Sequence, residues 1–213
     1  MVRMTREERR AHTRMCLMEA AGKIFSRQGL QQASIDDVAE EAGYTKGAFY
    51  ANFRSKEELF LAMLDERFAA RLEQIERVLA SGDGLEDQTR RAGADFVDAM
   101  RSDPEWERLF FEFAAYAARN RDFRDELVTR YRSLRDAIAA ALEGAKEHHG
   151  GPTAMDFHEV SLMLFALSNG FALEKLLEPD AVSDDLYGQM LLVFFTGLKA
   201  LAEERAAAAV KRA

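Results

Sequence analysis

"SIDDVAEEAGYTKGAFYANFRSKEEL", residues 34–59, decides how this chain is read. Ser34 is placed to cap a short helix running to about Glu41, with Asp37 three positions on to complete a capping box. Gly43 ends that helix, because glycine enters the left-handed backbone region without a Cβ clash. Thr45 caps a second helix predicted over 46–53. Ser55 caps a third, with Glu57 and Glu58 in the turn where the helix dipole favours acids. Helices this short do not nucleate stably alone, so packed neighbours must hold them. Two helices joined by a three- or four-residue turn containing glycine form a helix-turn-helix layout.

Val38, Ala42 and Phe49 are predicted to close over Ile24 and Phe25, with the small Ala39 where the helices cross and Phe53 in the core. Lys46, Gly47, Ala48, Tyr50 and Asn52 are left unclaimed. In this motif the second helix enters the major groove and its N-terminal residues meet base edges. Lys46 suits guanine O6/N7, and Gly47 and Ala48 allow close approach to bases and a thymine methyl. Ser34, Thr45, Tyr50 and Asn52 are candidate phosphate partners. Lys56 opens the next helix, where backbone N–H groups and an ammonium together favour a phosphate. Arg3, Arg6, Arg9 and Arg10 read as a solvated helix face before they read as base contacts.

Working outward, Thr5 caps a helix from about Arg6 whose apolar face holds Leu17, Ala20, Ala21, Ile24 and Phe25; Gly29 stops it. Residues 18–60, "MEAAGKIFSRQGLQQASIDDVAEEAGYTKGAFYANFRSKEELF", resemble the DNA-binding domain of the tetracycline-repressor (TetR) family. Ala20-Ala21, Phe25, Gly29, Ser34-Ile35, Val38-Ala39, Ala42-Gly43, Gly47, Tyr50, Phe53 and Ser55-Lys56-Glu57 occur in family order. Phe49 stands where a smaller aliphatic residue is more usual, and Asn52 where His is common. The resemblance implies a homodimeric, ligand-responsive transcriptional regulator, usually a repressor. Its amino-terminal domain would hold double-stranded operator DNA, and its larger carboxy-terminal domain would bind a small-molecule effector and form the dimer.

Composition agrees with a helical protein. The 213 residues are 48% apolar and 31% charged with only three prolines, and Ala, Leu, Glu and Arg favour helix. The fold expected is all-α with about nine helices. Beyond the linker "SGDG" at 81–84, helices are predicted near 85–101, from Pro104, and over 122–147, 156–177 and 183–209. The domains expected are 1–56 for DNA binding, 57–80 as a connecting helix and 81–213 for ligand and dimer. Residues 1–56 hold ten Lys/Arg against seven Asp/Glu, net +3, whereas the other 157 hold nineteen against thirty, net −11. The overall −8 therefore hides a small basic module suited to a polyanion. The lone cysteine, Cys16, excludes an internal disulfide and a cysteine-rich metal site. No leader or membrane span is predicted, so the expectation is a cytoplasmic protein without cofactor.

The last two helices, "FHEVSLMLFALSNGFALEKLL" and "LYGQMLLVFFTGLKALA", are apolar on more than one face and must be buried on several sides. Ala166, Gly170, Leu173, Met190, Phe194, Gly197 and Leu198 are the candidate dimer interface, a four-helix bundle across a two-fold axis. Phe96, Met100, Trp106, Phe110, Phe113, Tyr131, Met163 and Asn169 are the candidate lining of an apolar effector site. Of Ser168 and Asn169, in an otherwise apolar run, at least one should find a buried partner or a ligand, and Glu112 or Glu174 would suit a lipophilic cation.

Catalysis has little support: His12, His148, His149 and His158 form no triad or metal spacing, and no phosphate-binding glycine loop is present. Two alternatives stay open, a redox-responsive regulator using Cys16 and a ligand-binding dimer without DNA recognition.

Overall fold

A computed structural model of the protein describes residues 4–149 and 154–211, apart from the side chains of 146–149. Arg3 and the His148 and His149 side chains lie outside the described residues. Those described form nine helices and no strand: α1 (Arg6–Gln32), α2 (Ile35–Glu41), α3 (Lys46–Tyr50), α4 (Lys56–Leu79), α5 (Leu85–Ser102), α6 (Pro104–Ala117), α7 (Arg121–His149), α8 (Phe157–Leu177) and α9 (Leu186–Val210). The starts follow their caps. Thr5 with Glu8 and Ser34 with Asp37 make full capping boxes, Thr45 Oγ1 accepts from the Ala48 N–H, and Ser55 Oγ from the Glu58 N–H. Gly29 breaks α1 with φ +73°, yet a further turn carries the helix to Gln32.

The chain divides into two compact units. The first joins Met1–Phe68 to Pro104–Val128, so α6 and the start of α7 belong with the helix-turn-helix rather than with the carboxy-terminal half. Its core holds Leu17, Phe25, Val38, Phe49, Phe53, Leu59, Phe60 and Phe113. Phe60 stacks on Phe113 with centroids 3.5 Å apart and lies 5.7 Å from Trp106, while Phe25 meets Phe113 edge-on at 5.8 Å. Trp106, Phe110 and Phe113, expected to line the effector site, are thus buried in the core of the first unit. The periodicity of α6 shows that these rings are buried, but not against which partner. Glu112, considered for a cationic ligand, accepts from the Leu30 N–H at 2.7 Å, the donor freed by the break at Gly29.

The second unit comprises Ala69–Asp103 and Thr129–Ala213. Here α5 crosses α9 at two facing glycines: a Cβ on Gly93 would sit 2.5 Å from the Gly188 nitrogen. Val97, Phe171, Tyr187 and Leu191 form the adjoining core, with Phe96, Met100 and Met190 packed partly against it. Ser168 finds its polar partners inside the unit, the Leu164 carbonyl at 2.8 Å and the Tyr187 hydroxyl at 2.5 Å. By length and composition α8 is the one described helix apolar enough to cross a membrane, and most of its surface is unburied within the chain.

Candidate nucleic-acid interface

The helix-turn-helix presents α3 as a short, outward-facing probe. Phe49 and Val38 are fully buried and Ala39 nearly so, which fixes α3 against α2. Phe53 is also buried, with the Arg14 guanidinium 4.2 Å above its ring. Arg14 also donates to the Asn52 carbonyl at 3.2 Å, tying the end of α3 to α1. On the opposite side Thr45, Lys46 and Gly47 are exposed, Ala48 is half-buried, and Tyr50 stands 52% exposed although aromatic.

The polar geometry refines each candidate. Lys46 Nζ lies 2.7 Å from Asp36 Oδ2 on α2, and this carboxylate holds the Lys46 pKa above its usual value. Asn52 Nδ2 donates to the Ala48 carbonyl at 2.8 Å, while its Oδ1 is buried without a partner. Ser34 Oγ accepts from the Asp37 N–H at 3.0 Å. Lys56 differs from expectation. Its ammonium turns inward onto the carbonyls of Leu30 (2.7 Å) and Ala33 (2.6 Å), where it ties the end of α1 to the start of α4. Those acceptors are carbonyls left open where α1 ends at Gln32, which the local pattern around Lys56 does not reveal. Arg6, Arg9 and Arg10 lie on the exposed first turns of α1, with Arg9 Nε on the Thr5 carbonyl.

Similarity to known proteins accords with this geometry. A family model for bacterial regulatory proteins of the tetR family matches residues 17–63, and one for the carboxy-terminal part of BetI-type transcriptional repressors matches 85–200. The regulator TtgR of Pseudomonas putida is 30% identical over 217 residues, covering 94% of this chain and 96% of that protein. The chain belongs to the TetR family of transcriptional regulators. Among solved structures, GusR of Salmonella enterica superimposes with a TM-score of 0.73 at 23% identity, covering 89% of this chain and 96% of that one. FadR of Bacillus subtilis, solved in complex with stearoyl-CoA, gives 0.70 at 14% identity over 88% and 98%. As a TetR-family protein this is a helix-turn-helix transcriptional regulator.

The remaining candidates of this TetR-family regulator separate by place. Phe96, Met100, Tyr131, Met163 and Asn169 all fall in the second unit. Phe96 packs on Tyr187 at 4.6 Å and Tyr131 on Phe165 at 4.8 Å, whereas Met163 is exposed. Burial pushes the Tyr131 phenol up to about 12. Among the dimer candidates Ala166, Gly170, Leu173 and Gly197 are exposed, Phe194 and Leu198 half-buried, and Met190 packed partly inward. Val193, at 73% exposure, and Leu177, at 66%, extend the same apolar surface. Cys16 is a free thiol whose Sγ lies 3.7 Å from His12 Nε2. The residues missed in the sequence were Asp36, Arg14, Gly93 and Gly188.

Proposed function

We propose that this regulator is a repressor that grips operator DNA through α3 and is released by an apolar or aromatic effector. The observation that carries it is the exposed face of α3, with Lys46, Gly47, Ala48 and Tyr50 turned outward over a closed apolar core. Lys46, Gly47 and Ala48 would address base edges, with Ser34, Thr45, Tyr50 and Asn52 on the phosphates. The start of α4 at Lys56 would offer backbone N–H groups to a phosphate, its side chain acting as a brace.

Two copies would pair through α8 and α9. Leu162, Leu173, Leu177, Val193 and Leu201 are exposed apolar residues on these helices, and Gly170 and Gly197 have no neighbour within 4 Å of a notional Cβ. That much apolar surface in one region is what an interface between copies would cover. The effector would bind in the second unit, near Phe96 and Met100. Since α4 runs from one unit into the other, ligand binding would shift it and change the spacing of the two α3 helices.

Selection of bound fragments from random duplex DNA tests this reading. The expected product is an inverted repeat whose half-site centres lie about 34–36 Å apart or a multiple of it. An enriched site without two-fold repetition, or no enrichment, contradicts the reading.

A further inference from the structure

A cation in the second unit is half-buried and has no counterion among the described residues. Arg71, on α4, lies against Phe96 with its guanidinium carbon 4.7 Å from the ring centroid. Its Nη1 donates to Gln74 Oε1 at 3.3 Å, and the Tyr187 phenol also favours its charged form. Among the described residues no carboxylate lies at ion-pair distance, and Asp95 acts only through space as the weakest favourable influence. Burial outweighs these influences and pushes the guanidinium pKa downward. Arginine nevertheless stays protonated in proteins, and no nitrogen of Arg71 is among the buried side-chain atoms without a partner, so the donors it has left open face solvent or a ligand. A guanidinium has five N–H donors in a rigid fork, and Gln74 and Tyr187 occupy only part of it.

Around this fork the surface is aromatic and apolar. The Tyr187 ring lies 4.6 Å from Phe96 and 5.1 Å from Phe171, and its hydroxyl is fixed by Ser168. Met100 and Leu164 are only partly covered beside the same cluster. We propose that Arg71 is the receptor for the acid group of an apolar or aromatic carboxylic acid, and that acids of this class are the effectors. The carboxylate takes the open donors of the fork in paired, charge-assisted bonds, and the body of the acid covers Phe96 and Met100. The assignment rests on the reading of this unit as the effector-binding part.

The test uses the full-length protein and acids paired with their primary amides: 2-naphthoate, 4-phenylbutyrate and decanoate, each against its amide. Binding is measured by calorimetry, and release of a fluorescent selected duplex by anisotropy. For at least one pair the acid binds about tenfold to a hundredfold more tightly than the amide and releases the DNA. Arg71→Met abolishes that preference, and Arg71→Lys keeps part of it. Thermal melting of each variant accompanies the binding, so a loss of fold is not counted as a loss of charge recognition. Acid and amide binding equally in every pair, no acid binding at all, or a preference that survives in Arg71→Met overturns the proposal. Wild-type protein that never binds duplex DNA strikes instead at the regulator reading, a separate outcome.

Discussion

Lys46 Nζ on α3 lies 2.7 Å from Asp36 Oδ2 on α2. Both side chains are more than half exposed, so the pair forms on the surface that would meet DNA. A base or phosphate that takes Lys46 must displace this carboxylate, and the carboxylate itself repels the polyanion. Asp36→Asn is therefore expected to strengthen binding to random duplexes by up to about fivefold, the range of an exposed ion pair, and to reduce discrimination. Lys46→Ala is expected to lose about 1–3 kcal/mol on the selected site and relax one position. Anisotropy titrations against selected and scrambled duplexes check both.

Lys56 separates a brace from a phosphate contact. Because its ammonium joins the Leu30 and Ala33 carbonyls, Lys56→Ala is expected to lower stability by about 1–3 kcal/mol. The salt dependence of DNA binding should stay close to that of the wild type. A log–log slope shallower by about one, with unchanged melting, would instead make Lys56 a phosphate contact.

Gly93→Ala tests the crossing of α5 and α9. Its Cβ would lie 2.5 Å from the Gly188 nitrogen and 2.6 Å from Gly188 Cα, both backbone atoms that cannot swing aside. The expected cost is about 3 kcal/mol, read by denaturant unfolding. Gly170→Ala, with open space around its Cβ, should leave monomer stability nearly unchanged.

These residues also show where the sequence was legible. The helix-turn-helix could be read in detail because its signals are local: caps at Ser34 and Thr45, the turn at Gly43, and apolar Val38 and Phe49 at helical spacing. The Gly93–Gly188 crossing joins residues far apart in the chain, and nothing near either glycine marks the other. The rings of α6 announced burial, but their partner Phe60 is set by tertiary packing. Lys56 looked free because its acceptors, the open carbonyls at the end of α1, lie more than twenty residues away in the chain.

Val193→Asp addresses pairing. The side chain is 73% exposed on α9, so the substitution spares the fold of one copy while placing an unpaired charge in the proposed interface. Dimerisation is expected to weaken about a hundredfold or more, measured by sedimentation equilibrium. A variant that still sediments as a stable dimer would move the interface elsewhere.

Anisotropy titration of the double variant Lys46→Ala/Tyr50→Ala against the selected duplex, across a series of salt concentrations, probes the outward face of α3 itself. Both side chains are exposed, so melting should match the wild type. Affinity is expected to fall about a hundredfold or more, with the wild type alone showing steep salt dependence on a preferred sequence. If the folded double variant binds that duplex as tightly as the wild type does, α3 is not what touches the DNA.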